Sequence, residues 1–264
     1  MPSVSNIAVG AAMAGAAAQK ARHQMNESIA RLSTGIRSMY GGDAAGQSIA
    51  NSLGAKGASF AVAARNAEDG ISYLQSAESL LLEMAALTTR LRELGIQYSN
   101  VALLTLTDQA ALNAEALAIG DAIDGIADNM KFNGKQLVGK ATAISIGIND
   151  AGTQVTVGTG TSITVTNTDD ITGANGVAGS ADTALGLIAK SLGNVAAGMQ
   201  ALKGHQAAAS ATAANLKAAA ARIQDTDYAL ETANLTKAAI LNQSAMAMVA
   251  QANQAQQAIL TVIQ

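Results

Sequence analysis

The residues best suited to catalysis are few in this chain of 264 residues. Its two histidines, His23 and His205, lie in alanine-rich stretches, and the sequence contains no cysteine. A serine or cysteine nucleophile needs a base within hydrogen-bond reach and a turn that presents it, and neither histidine has that context. The His-Glu-x-x-His pattern of zinc peptidases is also absent from the sequence. We therefore predict no catalytic residues and interpret the chain as non-enzymatic.

Two further patterns could suggest a bound ion or phosphate. Asp121, Asp124 and Asp128 recur at helical spacing, but the glycine of a calcium loop is missing, so a solvated acidic face is favoured. The stretch from Gly41 to Gly46 is rich in glycine. It lacks the Lys-Ser/Thr pair of a phosphate-binding loop, so it indicates a helix break. We predict neither a metal nor a cofactor.

The composition favours extended helical packing. Hydrophobic residues make up 49% of the chain and charged residues 13%, whereas a typical soluble domain has about 25% charged residues. Aromatics contribute only 2%, so the core must come from close contacts between helices. A net charge of −3 gives no basic face for nucleic acid. No apolar run reaches the roughly 18 residues of a membrane span, and no charged segment marks a cleavable signal peptide.

Both ends of the chain carry apolar residues at alternating steps of three and four, which is the spacing of a coiled-coil seam. The N-terminal seam consists of Val4, Ile7, Ala11, Ala14, Ala18, Ala21, Met25, Ser28 and Leu32. The C-terminal seam consists of Leu241, Ala245, Met248, Ala252, Ala255, Ile259 and Val262. We predict that the two seams pack together and against neighbouring copies. They define a terminal coiled-coil domain of residues 1–40 and 222–264.

The energetics of these seams suggest coupled folding and assembly. One buried methyl group contributes about 0.8 kcal/mol, whereas ordering the backbone of one residue costs about 1–2 kcal/mol. Two alanine-rich helices alone are therefore marginally stable. We expect the ends to become ordered when neighbouring subunits cover them.

Residues 41–221 are predicted to form a helical bundle with a small β-hairpin insert at about 141–180, which makes the chain mainly α. Helical spacing predicts a long helix through Leu74–Leu94 and a third helix that begins at Thr107–Asp108 and ends at Asn133–Gly134. A period of two between Ala143 and Asn167 predicts short strands. These strands contain Ile144, Ile146, Ile148, Val155, Val157, Ile163 and Val165.

The segment after the insert is predicted to return to helix. Gly173–Ser180 is interpreted as a loop, and Leu185–Tyr228 has an alanine-rich helical pattern. The predicted order is therefore helices, a small β insert, and helices again, in a long antiparallel bundle.

Several segments resemble the bacterial flagellins. In the N-terminal half they are ESIARLSTG (27–35), GDAAG (42–46), ARNAEDGIS (64–72), RLREL (90–94) and KFNGK (131–135). In the C-terminal half they are RIQDTDY (222–228) and AQANQ (250–254). The resemblance covers about residues 1–140 and 181–264.

The resemblance implies a structural subunit that polymerises with itself into the flagellar filament used for motility. Only residues 141–180 stand where longer flagellins have large outer domains, so the chain resembles a minimal form. Family members are exported unfolded through the secretion channel of the flagellum, without a cleaved signal peptide, to an extracellular position. The partners implied are an export chaperone on the C-terminal helix, a filament cap and hook-associated proteins.

The resemblance also implies a candidate contact region for innate receptors, formed by Arg90, Leu91, Glu93 and Leu94. Receptor-activating members carry a glutamate ahead of an Ile-Asp pair. This chain has Ala122 before Ile123-Asp124, which removes an acidic group. We therefore expect weak or no receptor activation.

Two alternatives to the filament subunit stay open at this point. A hook–filament junction protein shares flagellin-like ends but forms only a short zone, and the AQANQ segment and the small insert favour the filament. A filament-displayed adhesin would use the insert to bind sugars. Residues 141–180 contain no aromatic side chain for sugar stacking.

Overall fold

The computed structural model of the protein describes residues 2–37, 42–140, 142–163 and 174–263. Its five long helices are α1 (Pro2–Thr34), α2 (Ala44–Tyr98), α3 (Leu106–Asn129), α4 (Ala174–Gln224) and α5 (Tyr228–Ile263). Its strands are β1 (Lys131–Phe132), β2 (Lys135–Gln136), β3 (Ile144–Gly147) and β4 (Gln154–Val157). The prediction of a mainly helical fold with a small β-hairpin insert is confirmed.

The chain divides into two compact units. The terminal unit comprises Met1–Ala55 and Leu216–Gln264, and the central unit comprises Lys56–Asn215. Both boundaries fall inside long helices, α2 and α4, whereas the domain limits predicted from sequence fall at 40/41 and 221/222.

The central unit has a core of large aliphatic side chains supplied by α2, α3 and α4. Its fully buried members include Leu74, Leu81, Met84, Leu94, Ile123, Ile188, Val195 and Leu202. Tyr98 contacts Gln109 at the start of α3, and Arg90 contacts Glu115 further along it, so α2 and α3 run antiparallel. The short connection between them, which includes a 3-10 turn at Val101–Leu103, imposes this arrangement.

Helix α3 begins at a capping box, two residues before the N-cap predicted at Thr107–Asp108. Thr105, and not Thr107, is the N-cap: its Oγ1 accepts from the Asp108 backbone N–H at 3.2 Å. The Asp108 carboxylate in turn accepts from the Thr105 N–H at 3.0 Å. This reciprocal pattern satisfies two backbone donors that the first turn leaves unpaired.

The β insert is an antiparallel hairpin in which Ile144 pairs with Val157 and Ile146 with Val155. The strands predicted there are confirmed, except that Ile148 and Ile163 lie outside them and Val165 lies outside the described residues. Gly198 of α4 lets the hairpin approach closely, because an added Cβ would lie 3.3 Å from Val157.

A second, shorter hairpin was not predicted. β1 and β2 are joined by Asn133 and Gly134, which have φ angles of 47° and 78°. Both residues therefore have the positive φ that a tight two-residue hairpin turn requires. The helix end predicted at Asn133–Gly134 is therefore wrong, because α3 ends at Asn129 and this pair forms the hairpin turn.

The predictions for the segment leading into α4 and for the end of that helix were partly wrong. Residues 174–180 are helical and not a loop, because α4 begins at Ala174. Its glycines lowered the local helix propensity, and packing along a helix of 51 residues outweighed that cost. The helix also ends at Gln224, before a break at 225–227 that the predicted helix Leu185–Tyr228 did not contain.

Candidate assembly interface

Helices α1 and α5 pack antiparallel in the terminal unit. The Arg31 guanidinium lies 3.5 Å from the Glu231 carboxylate, and Arg22 Nε lies 3.4 Å from the Asn242 side-chain oxygen. The two ends of the chain are thus adjacent, and the predicted pairing of α1 with α5 is present.

The inner face of this helix pair is built mainly from alanine. Ala14, Ala18 and Ala21 of α1 are buried, as are Ala238 and Ala245 of α5. Small side chains allow two helix backbones to approach closely, so the contact relies on fit instead of large apolar volume.

The predicted seam residues whose side chains are described divide into three groups. Ala14, Ala18, Ala21, Ser28 and Ala245 are buried, and Ala11, Met25, Leu32, Ala252 and Ala255 are half-buried. Leu241 and Met248 are 47% and 65% exposed. The side chains of Val4, Ile7, Ile259 and Val262 lie outside the described residues. The polymerising role of the whole set stays a prediction.

On α5, alternate seam positions lie one residue later than predicted. Asn242 and Val249 are half-buried, whereas Leu241 and Met248, which were expected to face α1, are exposed. The sequence analysis missed Asn242 because it sought apolar residues. The heptad spacing from Ala238 to Ala245 is the signal that could have found this register.

Leu241 and Met248 line an open groove of about 670 Å³ along the terminal unit. Met13, Ala17 and Lys20 of α1 form part of its lining. Met13 is 69% exposed, so both helices leave large apolar side chains in solvent. This groove is the candidate contact surface for a neighbouring molecule.

A polar layer crosses the α1–α5 contact near the end of α1. The Arg31 guanidinium lies between two carboxylates, at 3.5 Å from Glu231 and 3.8 Å from Glu27. Glu231 is 7% exposed, and Ser28 beside this layer is also buried. Neither Arg31 nor Glu231 was predicted as part of a seam, because the coiled-coil pattern is defined by apolar residues.

Beyond this layer, the backbone after α1 pairs with the break between α4 and α5. Arg37 N–H donates to the Gln224 carbonyl at 2.7 Å, and Thr226 N–H donates to the Gly35 carbonyl at 2.9 Å. Gly35 has a φ of 71°, which favours glycine and ends α1. We call these hydrogen bonds between 35–37 and 224–226 the backbone clip.

The candidate receptor region lies on α2 of the central unit. Arg90 bonds Glu115 at 2.7 Å and Glu93 at 3.2 Å, and these carboxylates raise the pKa of Arg90, Glu115 most strongly. Leu91 and Leu94 face the core and are buried. The acidic partner of Arg90 is therefore Glu115, which the sequence analysis did not single out.

Position 122, on which the expectation of weak receptor activation rests, is separate from this cluster. Ala122 is exposed on α3, about two helical turns beyond Glu115.

The acidic residues of α3 remain solvent-accessible or half-buried. Partial burial raises the pKa of Asp124, and the neighbouring charges of Asp128 and Asp121 raise it further. Within the described ranges, no group of three or more potential ligands is arranged to hold a metal ion. His23 is exposed and lies 3.1 Å from Glu27 on the same helix. No helix in the described part of the chain has the length and hydropathy needed to cross a membrane.

Comparison with known proteins agrees with the helical arrangement. The family model of the bacterial flagellin N-terminal helical region matches residues 5–142, and that of the C-terminal helical region matches residues 178–263. Flagellin FlaB2 of Treponema pallidum is 32% identical over 90% of this chain and 92% of its own length. The flagellin of Halalkalibacterium halodurans is 32% identical over 91% of this chain and 92% of its own. The flagellar filament 33 kDa core protein of Treponema phagedenis is 30% identical, with 90% and 92% coverage. The chain belongs to the bacterial flagellin family.

Proposed function

We propose that this protein is a structural subunit that polymerises into a bacterial flagellar filament. The observation that carries the proposal is the groove on the α1–α5 pair, in which Met13, Leu241 and Met248 are exposed. A neighbouring subunit would cover these side chains in a member of the flagellin family. The non-enzymatic interpretation is confirmed, because flagellins are structural filament proteins.

The polymerising domain in this proposal comprises residues 1–40 and 222–264, and residues 41–221 form the helical bundle domain. A neighbouring copy covers the exposed apolar side chains at about 25 cal/mol for each Å² removed from water. The contact joins different surfaces of the two copies, and such heterologous contacts give an open helical assembly. Of the seam residues predicted from sequence, the exposed Leu241 and Met248 supply these contacts in the groove, while the buried alanines hold α1 against α5.

The proposal places the protein outside the cell in the flagellum. Export proceeds through the secretion channel of the flagellum, with a chaperone on the C-terminal helix, and assembly involves a cap and hook-associated proteins. The support is the apolar surface that α5 exposes, since Leu230, Ile240 and Met246 need cover before assembly.

Receptor contact, where it occurs, would involve Arg90 and Glu93, because their side chains are exposed while Leu91 and Leu94 are buried. Weak activation remains the expectation from Ala122. A reporter-cell assay with purified monomer tests it, and a full response would refute it.

The test of the filament proposal is negative-stain electron microscopy with short filament seeds under salting-out conditions. Full-length protein is compared with a chain lacking Met1–Leu32 and Leu241–Gln264, and with the point variant Met248→Asp. Leu82→Asp is the matched control, because Leu82 is 56% exposed on the central unit. Long filaments from the full chain and the control, with few from the other two, support the proposal. Discrete particles from the full chain would contradict it.

A further inference from the structure

The alanine contact between α1 and α5 does not by itself define how the two helices align. Ala238, Ala245 and Ala252 of α5 are spaced seven residues apart, as are Ala14 and Ala21 of α1. A shift of one helix by seven residues, about 10.5 Å, therefore places alanine on alanine again. Contacts between single methyl groups distinguish poorly between the two alignments.

The polar layer does distinguish between them. In the observed alignment, the Glu231 carboxylate lies 3.5 Å from the Arg31 guanidinium, and Glu231 is only 7% exposed. A shift by seven residues in either direction separates these two side chains. Loss of the cation would leave a carboxylate in the contact without its partner, which is much costlier than the exchange of one alanine contact for another.

The backbone clip lies at the same end of the helix pair. Of its two donors, Arg37 is exposed and Thr226 is buried. The Arg37–Gln224 bond can therefore be exchanged for a bond to water at small net cost, whereas the Thr226–Gly35 bond is less easily replaced. The clip therefore also favours the observed alignment, whereas the ion pair acts within the helix contact itself.

We propose that Arg31 and Glu231 are register-determining residues, whose pairing selects one alignment of α1 on α5 among several that the alanine stripe would accept. A buried polar group that fixes the alignment of an apolar helix contact is a known device in coiled coils. The alignment also determines which residues line the groove, which Met13 and Met248 share in this register. That consequence for assembly rests on the proposed function, whereas the alignment itself does not.

Because the chain contains no cysteine, the alignment can be read by pairs of introduced cysteines. Arg31 of α1 contacts Glu231 of α5, and Arg22, nearer the start of α1, contacts Asn242, further along α5. About one more turn in the same direction along both helices places Ala18 opposite Ala245. Ala18→Cys with Ala245→Cys reports the observed register, and Ala18→Cys with Ala238→Cys or Ala252→Cys reports the shifted ones.

Each cysteine pair is placed in the full-length parent, in Arg31→Leu/Glu231→Leu and in the matched control Arg92→Leu/Asp182→Leu. The control removes an exposed ion pair of the central unit. Leucine at both positions avoids an unpaired buried charge, so the double variant retains helix packing. Oxidation rates are measured for free and seeded chains. Non-reducing gels separate disulfides within one chain from those between chains.

In the parent and control, we expect the 18/245 disulfide to form about tenfold faster than the shifted pairs. In Arg31→Leu/Glu231→Leu, the shifted pairs should approach the rate of 18/245. An unchanged preference in that variant would overturn the inference and assign the register to the backbone clip. A parent without preference in either free or seeded chains would also overturn it. Filament yield is scored separately by microscopy, so a failure of polymerisation is distinguishable from a loss of register.

Discussion

The terminal and central units are both helical, but they bury side chains of different size. The central unit buries leucine, isoleucine and methionine side chains, such as Leu74, Met84 and Ile188. The terminal unit buries mainly alanine and leaves Leu241 and Met248 exposed. One large buried aliphatic side chain contributes about 1.5–3 kcal/mol, and one methyl group about 0.8 kcal/mol. The difference teaches that the central unit is built to be stable alone, whereas the terminal unit retains its largest apolar groups for a partner.

The strongest test of this difference is to remove a large side chain from the core of the central unit. Leu81 is fully buried and the adjacent Leu82 is 56% exposed. Leu81→Ala should reduce the free energy of unfolding by about 2–5 kcal/mol, through lost burial and the cavity left behind. Urea unfolding of the monomer measures this change.

The neighbouring substitution is the control for that experiment. Leu82→Ala should change the free energy of unfolding by no more than about 0.5 kcal/mol. Equal effects of the two substitutions would show that the central unit does not depend on this core.

In the terminal unit, the opposite change should be harmful. Ala18 is buried in the close α1–α5 contact, so Ala18→Leu should destabilise that contact by about 1–3 kcal/mol through overpacking. Faster tryptic cleavage after Lys20 and Arg22, relative to cleavage in the central unit, measures the loosening of α1. Ala16→Leu is the control because Ala16 is exposed. A protective effect of Ala18→Leu would mean that the contact has unfilled space.

Much of the helical framework could be predicted from sequence, because Leu74, Leu81 and Met84 recur at the spacing of one helix face. The α5 register could not be predicted by the same rule. Hydrophobicity places Leu241 inside, but close backbone approach admits the smaller Ala238 and Ala245 and leaves Leu241 exposed. In a surface that functions by assembly, the largest apolar residue faces the future partner and not the core of its own chain.

The start of α3 offers a smaller test within the central unit. Thr105→Ala removes the side-chain acceptor of the capping box and should cost about 1 kcal/mol of stability. Thr107→Ala, two residues later inside the helix, should cost less than about 0.5 kcal/mol. Thermal unfolding of both variants compares them. A larger loss of stability in Thr107→Ala than in Thr105→Ala would instead support the start of α3 at Thr107–Asp108 that the sequence predicts.

The smallest expected effect concerns charge in the central unit. Burial and the charges of Asp128 and Asp121 raise the pKa of Asp124, while the unfolded chain has a pKa of about 3.9. The folded state therefore binds the proton more tightly. Below about pH 3 both states are protonated and the effect vanishes. As the pH rises through the folded pKa, Asp124 ionises in the folded protein at a cost in stability.

Asp124→Asn removes that cost. The gain in the free energy of unfolding of this variant over the parent should therefore be larger at pH 7 than at pH 3. Solvent screens this half-buried carboxylate, so the gain should be only about 0.3 kcal/mol. Urea unfolding at both pH values measures it, and Asp150→Asn in the exposed β3–β4 turn corrects for generic loss of a carboxylate. An advantage that grows on acidification would reverse the assigned sign. If the gain appears only at neutral pH, the acidic face of α3 carries a destabilising charge. The aliphatic core of the central unit is stable enough to tolerate that cost, whereas the alanine contact of the terminal unit has no comparable excess of stability.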